Sequence, residues 1–464
     1  MLNRTDRMQS TADKELLRSY IRGMSSDLRE RYRIPAEEFQ SEHVKRGLRN
    51  ADGTGVIAGV TAIGSVQGYT MHEGMRQPMP GQLYYRGINM MDIVEAHVAT
   101  GTFGFEEVAY LLLLGYLPTE VHLRNYNAVQ SAARRMPEGF TEDVLMKLPS
   151  PNVMNKLGRA VMSLYTYDRN PDDISIENLV RQSIELIGRM PVIVANIYAL
   201  KRHYFDADSL VIHVPKEELS VAENFLYMIR PDKQFTREEA LLLDMMLILH
   251  AEHGGGNNST FTCRVLSSTL TDTYAAIAGA INSLKGPLHG AANSKVMEMF
   301  EDLKKHVKDP GSDAQVYDYM VKIRDGKAND GSGKIYGLGH AVYTQSDPRA
   351  VLLKKYAHDL AHEKGYDEEF ALMERMELQG TKALYEKFGD RKVLCANVDM
   401  YSGLVYQMLG IPEELFTPLF AIARTAGWCA HRIEEILSGG RIIRPAYRST
   451  GYNDVKYVPV AERG

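Results

Sequence analysis

The sequence predicts a mainly α-helical protein, because helical periodicity recurs along the chain while the alternation of half-buried strands hardly appears. Residues 105–118 open with acids, continue with an apolar run and stop at Gly115, as a buried helix does. Residues 236–250 begin with a capping box, in which Thr236 and Glu239 pair their side chains with each other's backbone N–H groups. These local signals predict helices at both places.

A third helix is predicted over residues 272–285, with Asp272 as its N-cap and many alanine and glycine residues. Such a small-residue surface permits close packing, either inside the subunit or across a dimer, and the sequence leaves both open. Short strands are predicted at 210–214 and 392–398. The glycine-rich residues 325–340 predict an irregular connection.

Composition narrows the class of protein. The chain has 464 residues, 44% of them hydrophobic, and a formal net charge of -5, so no basic excess suggests nucleic acid or an acidic membrane surface as a partner. Three widely separated cysteines indicate a reducing compartment. The apolar run 108–117 is too short to span a bilayer, and residues 1–17 lack the apolar core of a signal peptide. We expect a soluble, cytoplasmic protein with no membrane partner.

Residues 248–260, ILHAEHGGGNNST, hold two histidines, an acid and a glycine run. A zinc-protease motif needs histidines four residues apart on one helical face, whereas His250 and His253 are three apart. A phosphate-binding loop needs a lysine directly after its glycines, and none is present. The sequence therefore predicts neither a metal site nor a phosphate loop.

Three further segments carry chemistry. His289 lies in a turn directly before a predicted helix, whose positive dipole end disfavours protonation of the imidazole. His340 lies in a glycine-rich loop nine residues before Arg349, whose planar guanidinium suits a carboxylate. Asp399 lies at the start of another predicted helix, where most aspartates are simple N-caps.

Together these segments resemble the citrate synthase family. The resemblance covers about residues 40–450. It rests on six ordered motifs, each weak alone and specific as a set: HAEHGGGNNST, GPLHGAAN, GLGHAVYTQSDPR, NVDMYSG, AIAR and RIIRP.

The resemblance implies a mainly α, two-domain helical fold. The large domain would comprise residues 1–290 and 411–464, and the small domain, residues 291–410, would close over the substrate. It also implies condensation of acetyl-CoA with oxaloacetate, followed by hydrolysis of the citryl-CoA thioester to citrate and CoA. A homodimer is expected, because in this family an arginine corresponding to Arg444 reaches the partner's active site.

The resemblance also assigns roles to residues. Asp399 would remove a methyl proton from acetyl-CoA, His289 would hydrogen-bond the thioester oxygen, and His340 would polarise the oxaloacetate carbonyl and donate a proton to it. The residues expected to bind the oxaloacetate or citrate carboxylates are His253, Arg349, Arg424 and Arg444.

Contacts to CoA are expected from the loop before and after His340, and the residues concerned are Lys334, Gly337, Leu338, Gly339, Ala341 and Val342. His250 and Asn257 are expected to support the site from behind. One departure from the family stands out: many relatives have Glu directly after the second histidine, where this chain has Gly254.

No metal or other cofactor is implied, since acetyl-CoA is a substrate. The nearest alternative is 2-methylcitrate synthase, which uses propionyl-CoA and shares these motifs, since one methylene is worth only about 1–3 kcal/mol of discrimination. More distant alternatives are a citryl-CoA cleaving enzyme, a non-catalytic scaffold of this fold and a metal-dependent hydrolase. Residues 11–40 look helical and charged, which favours a dimer without the β-rich N-terminal region of the family's NADH-inhibited hexamers.

Overall fold

The protein is described by a computed structural model that covers residues 11–31, 34–41, 44–73, 75–389, 394–450 and 456–463. Helices dominate, as the sequence predicts. The described residues form seventeen α-helices: α1 Thr11–Arg31, α2 Ala36–Ser41, α3 Met90–Thr100, α4 Phe105–Leu114, α5 Glu120–Ala133, α6 Val153–Ser163, α7 Ile176–Phe205, α8 Val221–Ile229, α9 Arg237–His250, α10 Asn258–Ser267, α11 Thr273–Leu284, α12 Ala292–His306, α13 Asp313–Arg324, α14 Pro348–Lys364, α15 Asp367–Phe388, α16 Asp399–Met408 and α17 Phe416–Leu437.

The three helices predicted from their end signals are present. Helix α4 ends at Gly115 in the left-handed conformation, and α9 begins with the full capping box of Thr236 and Glu239. Asp272 caps α11 by accepting a hydrogen bond from the Ala275 N–H. Helix α11 packs inside the chain against α6, α10 and α17, so its small residues serve internal packing.

The strand predictions were less successful. Residues 210–214 form no strand, because this segment has no neighbouring strand to pair its backbone groups. Of the predicted strand 392–398, residues 392 and 393 lie outside the described residues, and the rest carries only an isolated bridge from Ala396 to Leu338.

The described strands instead form one antiparallel sheet that the sequence analysis missed, with β1 Gly64–His72, β2 Met75–Tyr85 and β3 Ile88–Asn89 in that order. Leu83 and Tyr85 are fully buried and alternate with more exposed neighbours along β2. This two-residue period in QLYYR is the signal that could have revealed the strand.

Helix α17 is the centre of the core. Every residue from 416 to 433 is buried, and the helix packs against α4, α7, α9, α10 and α11. A helix covered on all sides is normally apolar throughout. Here the exceptions include two buried arginines and a histidine, Arg424, Arg432 and His431.

By their contacts the residues divide into two compact units: a central unit, Ala58–Ile443, and a terminal unit, Met1–Ile57 with Arg444–Gly464. In the terminal unit the described parts of residues 11–40 are largely helical, as predicted. In the central unit, helices α12 to α16 pack largely on one another. The predicted domain boundaries at 290/291 and 410/411 fall inside the central unit and stay predictions.

Helix α7 is long and apolar enough to cross a membrane by length and composition alone. Within the protein, however, 78% of its most apolar stretch is buried. It therefore has the burial expected of a core helix.

Candidate functional site

The C-terminal end of α9 delivers the histidines of the HAEH motif. His250 is the last residue of the helix and His253 lies in the loop that follows, and both are buried. Tyr85 from β2 fixes this helix end, because its hydroxyl donates to the Ile248 carbonyl at 2.8 Å. Burial, reinforced by the positive charge of Arg349, holds the pKa of both imidazoles well below the usual range. Both rings are therefore neutral.

Arg424 on α17 is fully buried beneath these histidines. Its Nε donates to the His250 carbonyl at 2.6 Å, and its guanidinium lies 4.7 Å from the centre of the Phe420 ring. Neither Nη atom has a hydrogen-bond partner within the described part of the chain. Burial lowers the pKa of Arg424 to about 10, so the group is still charged at neutral pH. A buried cation with two unpartnered donor nitrogens is suited to an anionic ligand.

Arg349 is the second buried guanidinium of the site. Unlike Arg424, it is hydrogen-bonded to a carboxylate. Asp347, the N-cap of α14, accepts from Arg349 Nε at 3.0 Å and from Nη2 at 2.7 Å. Burial disfavours the charge of Arg349, but Asp347 outweighs this effect and raises its pKa. The bidentate pair fixes the orientation of the guanidinium.

The loop that carries His340 is paired with the segment that precedes Asp399. The Gly339 N–H donates to the Cys395 carbonyl at 2.8 Å, and Asn397 donates to the carbonyls of Gly337 and Gly339, at 2.9 Å each. Gly337 and Gly339 both have positive φ, which glycine adopts without strain. This pairing aligns the two segments that lead to His340 and Asp399.

The tautomer of His340 follows from its hydrogen bonds. Its Nδ1 accepts from the backbone N–H groups of Val342 and Tyr343, both at 3.0 Å, so a neutral ring carries its proton on Nε2. The ring stacks on Tyr343 with centroids 4.4 Å apart and meets His253 edge to face at 5.1 Å. The structure thus brings His253 and His340 together.

Asp399 is not a capping residue. It is the first residue of α16, where Val398 is the N-cap, and its own N–H donates to the Asn397 side-chain oxygen at 3.0 Å. Burial raises the pKa of the Asp399 carboxyl to about 6, although the positive charge of Arg349 opposes this rise. A carboxylate with such a raised pKa is a stronger base than an ordinary aspartate and is still ionised at pH 7.

His289 is held from behind by Ser259 near the start of α10. The Ser259 N–H and hydroxyl lie 3.3 Å and 3.1 Å from His289 Nε2, and the Trp428 N–H donates to the same hydroxyl at 3.2 Å. Because Nε2 accepts from the backbone N–H, a neutral ring carries its proton on Nδ1. Burial, reinforced by Arg424, lowers the pKa of His289 to about 4, so the ring is a neutral donor.

The remaining predicted residues are placed as follows. Lys334 and Ala341 are exposed, while Leu338 and Val342 are half-buried. Gly337 and Gly339 already use backbone groups in the pairing with residues 395–397, which leaves fewer of these groups for CoA. Asn257 is the N-cap residue of α10, but its side chain accepts from the Ser259 hydroxyl at 2.8 Å and does not cap the helix.

Arg444 belongs to the terminal unit, where its side chain is exposed. The other predicted catalytic and carboxylate-binding residues all lie in the central unit. Across the described ranges, no group of three or more His, Cys, Asp or Glu side chains is arranged to hold a metal ion.

Comparison with known proteins identifies the family. The family model described as "Citrate synthase, C-terminal domain" matches residues 50–446. The chain belongs to the citrate synthase family. Its members are enzymes that form a carbon–carbon bond as they transfer an acyl group.

Relatives within the citrate synthase family include two kinds of enzyme. The chain is 39% identical over 393 residues to a citrate synthase of Acidithiobacillus ferridurans, covering 82% of this chain and 93% of the relative. It is 34% identical over 430 residues to 2-methylcitrate synthase 1 of Corynebacterium glutamicum, covering 92% of this chain and all of the relative. A solved citrate synthase of Thermoplasma acidophilum, in a ternary complex with carboxymethyl coenzyme A and oxaloacetate, matches with a TM-score of 0.74 and 30% identity, covering 90% of this chain and 99% of that one.

The glycine at position 254, where the resemblance implies an acid in many relatives, suits the local backbone. Gly254 has a φ of 81°, and its N–H donates to the Glu252 carboxylate at 2.5 Å. A side chain at this position would be strained in that conformation. The acid next to the second histidine is thus Glu252, on its other side.

Sequence reasoning missed several residues of the site. Asp347 could have been found, because an aspartate before a proline at a helix start is a strong capping signal. Glu252 lies inside the quoted HAEH motif but received no role. Ser259, Tyr343 and His431 had no local signal, since their contacts are with residues distant in sequence or depend on the path of a loop.

The charge state of His289 can be measured directly. We expect its imidazole ¹⁵N signals, assigned by comparison with H289Q, to remain those of the neutral Nδ1–H tautomer from about pH 8 to about pH 5.5, because the pKa is about 4. In urea-unfolded protein the same ring should titrate at about pH 6.5. A midpoint above about pH 6 in the folded protein would contradict the assignment.

Proposed function

We propose that the protein is a citrate synthase that condenses acetyl-CoA with oxaloacetate and hydrolyses the citryl-CoA thioester to citrate and CoA. The observation that carries the proposal is the buried Arg424 guanidinium with two unpartnered nitrogens, next to Arg349 and two neutral histidines. Such a site is complementary to a small molecule with two carboxylates. Oxaloacetate, present in the Thermoplasma acidophilum complex, is a dicarboxylate of this kind.

In the proposed reaction, Asp399 is the base that takes a methyl proton from acetyl-CoA. A thioester methyl group is a much weaker acid than an aspartic acid, so the charge that develops on the thioester oxygen must be stabilised at the same time. The Nδ1–H of His289 is the donor for this oxygen. Because the pKa of His289 is low, the ring donates a hydrogen bond and remains neutral.

His340 acts on the other substrate. With Nδ1 occupied by two backbone donors, its Nε2–H is directed away from its own loop and polarises the oxaloacetate carbonyl. As the new carbon–carbon bond forms, this proton passes to the carbonyl oxygen, which becomes the hydroxyl of the product. His253 and the two arginines hold the carboxylates, and residues 334–342 are the proposed contacts to CoA.

A 2-methylcitrate synthase is the second candidate, favoured by the relative from Corynebacterium glutamicum. The two activities differ by one methylene of the acyl group, and the described site groups serve either substrate. Relatives of both kinds match at similar identity, 39% and 34%, so the acyl substrate has to be measured.

The identity of the acyl substrate is tested by comparing kcat/KM for acetyl-CoA and propionyl-CoA at saturating oxaloacetate. We expect acetyl-CoA to be favoured by at least about tenfold, since the extra methylene of propionyl-CoA in a pocket fitted to an acetyl group is worth about 10–200-fold. A preference for propionyl-CoA would establish the second candidate. Negligible condensation with either acyl-CoA would refute both and leave citryl-CoA cleavage or a non-catalytic role to be assayed.

The role of Asp399 is tested with D399N, which should lower kcat by about 10²–10⁴-fold while leaving oxaloacetate binding nearly intact. In the wild type, kcat/KM for acetyl-CoA should fall about tenfold per unit as the pH drops below about 6, because the base is active only when ionised. D367N is a matched control, since Asp367 is also the first residue of a helix but is exposed. A normal kcat in D399N would remove Asp399 from the mechanism.

We further propose that the active form is a homodimer in the cytoplasm, in which the exposed Arg444 contributes to the carboxylate site of the partner. R444A should then weaken oxaloacetate binding without reducing kcat in proportion, and the wild type should sediment as a dimer. An active monomer at assay concentration, or unchanged oxaloacetate affinity in R444A, would contradict this arrangement.

A further inference from the structure

Glu252, between the two histidines of the HAEH motif, is a fully buried acid with no role in the proposed reaction. Its Oε1 accepts from His431 Nε2 at 2.9 Å and from the Gly254 N–H at 2.5 Å. Its Oε2 is buried and has no hydrogen-bond partner among the described residues. Burial raises the pKa of a carboxyl, but His431, Arg424 and the Gly254 N–H outweigh burial and hold the pKa of Glu252 below its usual range. Glu252 is therefore ionised.

Glu252 is linked through His431 to Arg264. His431 Nδ1 accepts from Arg264 Nε at 3.0 Å, and His431 Nε2 donates to Glu252 Oε1 at 2.9 Å. The cation behind it, Arg264, is paired with two other acids, Glu434 and Glu435. A further counter-charge, besides His431, also lowers the pKa of Glu252.

That counter-charge is Arg424. Gly427 lies three residues after Arg424 on α17, and a Cβ at this glycine would lie 2.5 Å from Glu252 Oε2 and 3.4 Å from Arg424 Cδ. The absence of a side chain at 427 lets the carboxylate and the arginine stem lie next to each other. The two groups share no hydrogen bond, so the Nη donors of Arg424 stay available.

We propose that Glu252 is a positioning residue whose carboxylate is the internal counter-ion of Arg424 and whose negative charge limits the affinity of the site for dicarboxylates. A buried guanidinium with no anion nearby is strongly destabilising, so Glu252 stabilises the empty site. A dicarboxylate that binds to Arg424 also lies near the Glu252 carboxylate. The negative charge of Glu252 repels it and weakens its binding. The second part of the inference rests on the proposed function.

A double-mutant cycle tests the ion pair without any ligand. R424Q leaves Glu252 as an unpaired buried anion and E252Q leaves Arg424 unpaired, so each single variant should have a lower Tm than the wild type. The double variant should have a higher Tm than R424Q, because no unpaired charge remains. Additive losses of Tm would overturn the proposal. If R424Q does not fold, the double variant should recover folded protein, and failure to recover it would count equally against the pair.

Titration calorimetry with oxaloacetate tests the effect on affinity. The side-chain amide introduced by E252Q keeps an oxygen for His431 and Gly254 but carries no charge, so we expect oxaloacetate to bind about tenfold more tightly than to the wild type. E435Q is the matched control, because it also replaces a glutamate by glutamine, but at an acid that pairs with Arg264. Its affinity for oxaloacetate should equal that of the wild type.

If the wild type binds oxaloacetate and E252Q binds it equally well or more weakly, the charge of Glu252 does not limit the affinity, and this part of the proposal is wrong. If the wild type binds no oxaloacetate, the proposed function fails, and the double-mutant cycle alone decides whether Glu252 and Arg424 form a pair.

Discussion

The buried cation on helix α17 is the constraint on which the site depends. A helix that is covered on every side has no water to solvate a guanidinium, so Arg424 must find its stabilisation in nearby carbonyls, rings and acids. The His250 carbonyl, the Phe420 ring and Glu252 provide it. The end of α9 and the HAEH loop are thus organised around one side chain.

The two arginines of the site show two ways to bury the same charge. Arg349 is held by a bidentate acid two residues away in sequence, which fixes its geometry and occupies two of its donors. Arg424 has an acid close by but not bonded, so its outer nitrogens remain open. One guanidinium is therefore fixed in orientation by its acid, while both outer nitrogens of the other are without a hydrogen-bond partner among the described residues.

The sequence predicted what depends on local chemistry. Helices α4, α9 and α11 were predicted because the residues that cap or end them are close to the helix in sequence. The segment 210–214 was misjudged because β-branched residues form a strand only where a partner exists, and partnership is not local. The roles given to His289, His340 and Asp399 came from family resemblance, and the structure adds the tautomers and pKa values. Glu252 was missed because its partner His431 lies 179 positions away.

The chain contains one tryptophan, Trp428, and the fold places it behind the site, with its N–H on the Ser259 hydroxyl that also meets His289. Indole emission responds to the polarity and hydrogen bonding of its surroundings. Light emitted by this protein on excitation of tryptophan therefore originates from a single point, two hydrogen bonds from the His289 ring. Tryptophan fluorescence of the unlabelled protein therefore reports on the surroundings of the His289 ring, with no background from other indoles.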